Sequence, residues 1–154
     1  MKRILLSLLL IATPCMADNS VYITQFGNNT DVIVQQNGNF NNVQVTVSGN
    51  NNIINATQLN DSKNIIADVT GNYNTITAVQ QDSANHVLQL NILTDSNTVT
   101  ATQSGAAQKI FNLTLNSPNI GITIIQDNNY VKDTASMSIT CTIGTCAGYS
   151  YIKH

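Results

Sequence analysis

Cys141 and Cys146 enclose Thr-Ile-Gly-Thr, the first place in this sequence where residue type and spacing suggest chemistry. In an oxidising compartment two such thiols close a hairpin as a disulfide, here with Gly144 in the turn. A redox or metal role is the alternative, but it needs a His or Cys cluster, and His86 and His154 stand isolated. The Asp residues raise the question of calcium. The calcium-binding solenoid pattern G-G-x-G-x-D is absent, however, so they read as turn and surface residues that limit lateral association. No Ser-His-Asp spacing, paired carboxylates or phosphate-cradling glycine loop stands out. The expectation is a protein that is not an enzyme, with no cofactor and no metal site.

The remaining polar chemistry is that of amides. Gln36, Gln58, Gln80, Gln103 and Gln126 follow one another at spacings of 22, 22, 23 and 23 residues. Each ends a stretch in which apolar residues alternate: Val32 and Val34, Ile54 and Ala56, Ile76 and Ala78, Val99 and Ala101, Ile122 and Ile124. Eleven residues before each stretch lies another of the same kind: Val21-Ile23-Gln25, Val43-Val45-Val47, Ile65-Ala67-Val69, Leu88-Leu90-Ile92 and Phe111-Leu113-Leu115. Period-2 alternation is the signature of a strand with one buried face. Of the 30 inward positions in this register 24 are apolar and six are Gln, whereas the 20 positions between hold only four aliphatics and Tyr22. A disordered amide-rich chain would show no such segregation. The expected core is therefore Val32, Val43, Ile54, Ile65, Ile76, Leu88, Val99, Phe111 and Ile122 with their neighbours. An amide ladder of Gln25, Gln36, Gln58, Gln80, Gln103 and Gln126 is expected beside it, because stacked amides satisfy one another where a lone buried Gln would be costly.

Turn chemistry falls at the strand ends. Gly27, Gly38, Gly49, Gly71 and Gly105, with Asn60 and Asp82, occupy equivalent places, and Asn41, Asn52, Asn74 and Asn97 complete the turn set. Strand, turn, strand and turn in 22 residues, repeated five times, predict an all-β fold: a β-solenoid of five coils with two facing parallel sheets and a short C-terminal cap. A threonine-rich ice-binding face would need its outward pair repeated in register. Only Thr100 and Thr102 form such a pair, so the Thr residues read as β-branched strand surface.

The chain opens with Met-Lys-Arg and an apolar run from Ile4 to Ala12, closing on Cys15-Met16-Ala17. This is the pattern of a secretory signal peptide over residues 1–17, too short to span a bilayer of about 30 Å. A lipid anchor on Cys15 fits poorly with Pro14 before it. The remainder carries eight Asp, no Glu, four Lys and no Arg, a net charge of 4 − 8 = −4. Lys63, Lys109, Lys132 and Lys153 are scattered along it, so neither nucleic-acid binding nor membrane insertion is expected. The solenoid is placed over residues 18–128. The tail, 129–154, is expected to form a cap closed by the Cys141–Cys146 hairpin, with Ala135, Met137 and Ile139 fitting the start of a degenerate sixth coil.

The repeats resemble the curlin repeat, S-x5-Q-x-G-x-x-N-x-A-x3-Q, of bacterial curli subunits. Gln25-x-Gly27-x-x-Thr30-x-Val32-x3-Gln36 opens the series. It is followed by Val47-x-Gly49-x-x-Asn52-x-Ile54-x3-Gln58 and Val69-x-Gly71-x-x-Asn74-x-Ile76-x3-Gln80, and the fourth coil keeps Asn97-x-Val99-x3-Gln103. The chain departs from the pattern in replacing the first-strand Gln by Val47, Val69, Ile92 and Leu115, and in the added tail. Only Asp18 and Asn19 stand where a glycine-rich segment usually precedes the repeats. The resemblance implies a secreted structural subunit that assembles with copies of itself into an extracellular amyloid fibre on the bacterial cell surface, in biofilm and adhesion. It also implies another curlin-like subunit and an outer-membrane secretion system as partners. A minor nucleator, anchor or tip subunit is the alternative, as is a monomeric secreted solenoid adhesin.

Overall fold

The computed structural model describes residues 18–141 and 148–154. The expected leader, residues 1–17, and Cys146 of the expected disulfide lie outside the described residues. The first coil consists of β1 (Ser20–Phe26) and β2 (Asp31–Asn37), and the second of β3 (Asn42–Ser48) and β4 (Ile53–Leu59). The third holds β5 (Asn64–Thr70) and β6 (Thr75–Gln80), and the fourth β7 (Val87–Ile92) and β8 (Thr98–Gln103). The fifth is β9 (Lys109–Leu115) with β10 (Gly121–Gln126), and a sixth is β11 (Asp133–Ile139) with β12 (Tyr149–Lys153). Odd strands form one six-stranded parallel sheet and even strands the other, each in simple coil order.

The register follows from the alternation. Val21, Val43, Ile65, Leu88, Phe111 and Ala135 stack in one sheet, and Val32, Ile54, Ile76, Val99, Ile122 and Tyr149 in the other. All nine expected core residues are 2% exposed or less. A one-residue slip would send every one of them to solvent and bring Thr, Asn and Gln inside, so the pattern fixes a single register. Parallel sheets elsewhere are usually apolar on both faces. Here only the facing surfaces are apolar, which is why the strands alternate instead of reading as continuous Val-Ile-Leu runs.

The tail begins with the sixth coil that Ala135, Met137 and Ile139 suggest, while the expected hairpin between Cys141 and Cys146 lies outside the described residues. β11 continues the first sheet, with Ala135, Met137 and Ile139 over Phe111, Leu113 and Leu115. In the other sheet β12 pairs in parallel with β10, Tyr151 standing over Ile124. The solenoid therefore has six coils rather than five, roughly 29 Å tall at the usual strand spacing. The sixth coil is held by Tyr151, whose ring lies 5.0 Å from that of Phe111 at 59°, a favourable tilted aromatic pair. Cys141, which is disulfide-bonded, lies just after the end of β11.

The turns bring backbone against backbone. Gly49 has φ +136°, and a Cβ placed there would lie 1.9 Å from the carbonyl oxygen of Gly71 in the next coil. Only a residue without a side chain fits. Asn60 and Asp82, with φ +68° and +67°, take the left-handed conformation at the place Gly38 holds in the first coil, a region that Asn and Asp tolerate better than most residues.

Candidate functional site

Three columns of polar side chains run along the axis, and they contain nearly all of the buried polar chemistry described. The first is the glutamine ladder. Gln36 Nε2 donates to Gln58 Oε1 at 2.9 Å, Gln58 to Gln80 at 3.0 Å, Gln80 to Gln103 at 2.7 Å and Gln103 to Gln126 at 2.8 Å. Each Nε2 also reaches a carbonyl of the facing sheet: those of Ser20, Asn42, Asn64, Val87 and Ile110. Both amide protons are used, and all five side chains are 3% exposed or less. Gln25 does not belong to this ladder. It lies in the first sheet, where its register partner is Val47, and its Oε1 has no partner. One amide without a neighbour of its own kind cannot make a rung.

The second column draws on the expected turn residues and is interior. Thr30, Asn52, Asn74, Asn97 and Ile120 precede the even strands and are 1% exposed or less. Asn52 Oδ1 accepts the backbone N–H of Asn74, Asn74 Oδ1 that of Asn97, and Asn97 Oδ1 that of Ile120. Asn52 Nδ2 donates upward to the Gly71 carbonyl at 2.8 Å. These side chains splice a bend in one coil to the bend above it, where no strand ladder can.

The third column corrects the reading of the charged residues. Asn41, Lys63, His86, Lys109 and Asp133 stack at or just before the start of successive odd strands, each 2% exposed or less. The lysines and histidine are scattered in sequence yet share one corner. Asn41 Oδ1 accepts the N–H of Lys63 at 3.0 Å, and His86 Nδ1 that of Lys109 at 3.2 Å. Lys63 Nζ donates to the carbonyls of Asp61, Asp82 and Ala84 at 3.2, 2.7 and 2.8 Å, and Lys109 Nζ to those of Asn128 and Val131. The ammonium groups thus do upward what the Asn41 amide does to Asn60. Burial lowers the pKa of both lysines, while the nearby carboxylates oppose the shift.

Asp133 is likewise no surface residue. Its carboxylate takes Lys153 Nζ at 2.9 Å, Gln126 Nε2 at 2.7 Å and the Tyr151 hydroxyl at 3.1 Å. Burial alone would raise its pKa, but these donors outweigh it and hold the carboxyl below its usual range. The Lys153 ammonium is raised in return, by its hydrogen bond to Asp133.

His86 titrates within reach of experiment. Burial, assisted by the charge of Lys63, pushes its pKa down from 6.5 to about 4. Nε2 faces the Gln81 carbonyl at 2.9 Å and Nδ1 receives the Lys109 N–H, so only the neutral Nε2–H tautomer fits both. Lys63, Lys109 and Asp82 are the charged groups around it. The folded pKa lies below the unfolded one, so the stability is complete above pH 6.5. It declines as pH falls from 6.5 toward 4, by roughly 1–3 kcal/mol once solvent screening is allowed for. His86→Asn, which keeps an acceptor for Lys109, is expected to change stability little at pH 7 and to flatten that decline. Urea midpoints at pH 7.0, 5.5 and 4.5 give the comparison. Asp133 acts in a separate, lower window, since its depressed pKa costs stability only once the carboxylate protonates.

The ladder gives a second test. Gln80→Ala leaves Gln58 Nε2 and Gln103 Oε1 without their rung and should cost ~1–3 kcal/mol. Gln35 faces outward on β2, and Gln35→Ala should stay within ~0.5 kcal/mol. Equal losses in the two urea curves would contradict a stabilising role for the ladder.

Among the described residues no group of three His, Cys, Asp or Glu side chains could hold a metal ion, and no helix is long and apolar enough to cross a membrane. In comparison with known proteins, the chain matches no protein-family model, no curated protein and no solved structure.

Proposed function

We propose that this chain is a curlin-like structural subunit that leaves the cell and assembles with copies of itself into an amyloid fibre of the extracellular matrix. Its interior is a stack of in-register parallel rungs, and among the described residues no strand pairs with the outer edges of β1, β2, β11 and β12. The single observation that carries the reading is the first edge. β1, Ser-Val-Tyr-Ile-Thr-Gln-Phe, contains no charge and no proline, the devices by which sheets usually discourage edge pairing. Its inward residues Val21 and Ile23 are only half-buried against the core. A further coil laid on that edge would complete their burial and continue the ladders.

On this reading the working parts are the inward aliphatics, the glutamine ladder and the turn glycines. The partners are further copies, a second curlin-like subunit and an outer-membrane secretion system. A minor role at a fibre end is the alternative, favoured by the last coil, where Lys153 stands in place of a ladder glutamine. The test is an aggregation time course on purified residues 18–154, followed by amyloid-dye binding, electron microscopy and fibre diffraction. Fibres with a meridional reflection near the ~4.7–4.8 Å strand spacing are expected. A protein that stays monomeric and leaves the dye dark would sink the reading in favour of a solitary adhesin.

A further inference from the structure

The columns have a direction, and the two ends of the molecule differ in what they offer. In the glutamine ladder every Oε1 accepts from the coil before it. Among the described residues no coil precedes that of Gln36, and its Oε1 is buried with no partner there. At the far end the register sets Lys153 over Gln126, placing an ammonium where the next amide would stand. Lys153 spends one bond on Asp133 and its side chain remains 46% exposed. An ammonium has three protons to donate and accepts nothing.

The third column runs the same way. Where the side chain below can accept, the backbone N–H above donates to it: Asn41 to Asn19, Lys63 to Asn41 and Lys109 to His86, whereas the Asp133 N–H bonds the Gln108 carbonyl. Asp133 is the last member, and a carboxylate only accepts. One end of the molecule thus holds an orphaned, buried acceptor in the first column, and the other an exposed donor of the kind that would pair with it. In the third column the last coil supplies the acceptor that a following Asn19 N–H would use.

We propose that the Asp133–Lys153 pair is a docking site for the first coil of a second copy of this chain. Lys153 Nζ donates to Gln36 Oε1 of that copy, and the Asp133 carboxylate accepts its Asn19 N–H. The interior register, carried one step further, lays Met137 under Ile23 and Tyr151 under Val34, so the apolar stack is continuous across the junction. The contact has one polarity. Joining two last coils opposes two ammonium groups, and joining two first coils opposes two orphaned acceptors. This site rests on the self-assembly reading above, and its test separates the two.

The test uses the unmodified chain, assembled from an equal mixture of 15N-lysine-labelled and 13C-glutamine-labelled protein. In such a mixture, magnetisation transfer between lysine Nζ and glutamine side-chain carbon reports contacts between copies alone. Transfer to one lysine is expected, and its absence in assemblies of Lys153→Ala. Seeded growth supplies the second readout. Lys153→Ala should elongate about tenfold more slowly through loss of a charge-assisted bond. Lys153→Gln, which restores an amide donor, should stay within about threefold of the parent. Assembly without transfer overturns the docking site and leaves the fibre reading intact, whereas no assembly overturns both. Equal slowing by the Ala and Gln variants also overturns it, because then only the ion pair with Asp133 matters.

Discussion

Gly49→Ala is expected to lose about 4 kcal/mol or more, enough to unfold much of a marginally stable chain. Two costs combine at this position. A φ of +136° is a region essentially closed to residues with a Cβ. The new methyl would also lie 1.9 Å from the Gly71 oxygen and 2.7 Å from its carbonyl carbon. Neither atom can move alone, because the Gly71 N–H is bonded to the Ser48 carbonyl at 2.9 Å, which ties this bend to the one below it. Relief would require opening the turn between two coils. Gly121→Ala is the control: nothing lies within 4 Å of the point its Cβ would occupy, and it should remain within ~0.5 kcal/mol of the parent. Urea unfolding followed by far-UV circular dichroism compares the two. A parental midpoint for Gly49→Ala would mean that the turns do not approach as closely as described.

The second large effect lies in the core. Phe111→Ala should cost about 3–5 kcal/mol. The ring is fully buried, stacked in register between Leu88 and Ala135 and tilted against Tyr151. A thin two-sheet core has few neighbours able to collapse into the space, and the loss also undercuts the last coil. Phe40, 63% exposed in a turn, serves as the comparison, and Phe40→Ala should be nearly silent. Similar midpoints for the two alanine variants would place Phe111 outside the core.

The interior of the repeats is readable in the sequence because side-chain period and coil period are independent signals that agree. Ile54 and Ile76 announce a strand by alternation and a stack by recurrence. The corner column escapes a sequence reading at Lys63, His86 and Lys109, although the same alternation reaches them: Lys63, Ile65, Ala67 and Val69 form one inward series. A lysine beside a turn ordinarily points to water, and only backbone carbonyls converging on its ammonium make the buried position tolerable. The sixth coil is obscured by length. Asp133 follows its partner Lys109 by 24 residues and Tyr149 follows Ile122 by 27, so the recurrence drifts in the last coil. Gln25 misleads in the opposite direction, since it fits the alternation but has Val47 where a second amide would be needed.

The uniform step of the ladders has a kinetic consequence. Each glutamine rung joins residues 22 or 23 positions apart, so no rung can form until a whole circuit has closed on its predecessor. Closing the first circuit orders two coils at once with no template beneath them, and its entropy must be met before any column exists. Every later circuit finds a finished surface and adds one rung to each column, so growth after that point is one-dimensional. The slow event is therefore the first closure, and the time to complete the rest rises with the number of coils rather than with the size of a conformational search. A chain offered a ready-made end would skip the slow event altogether.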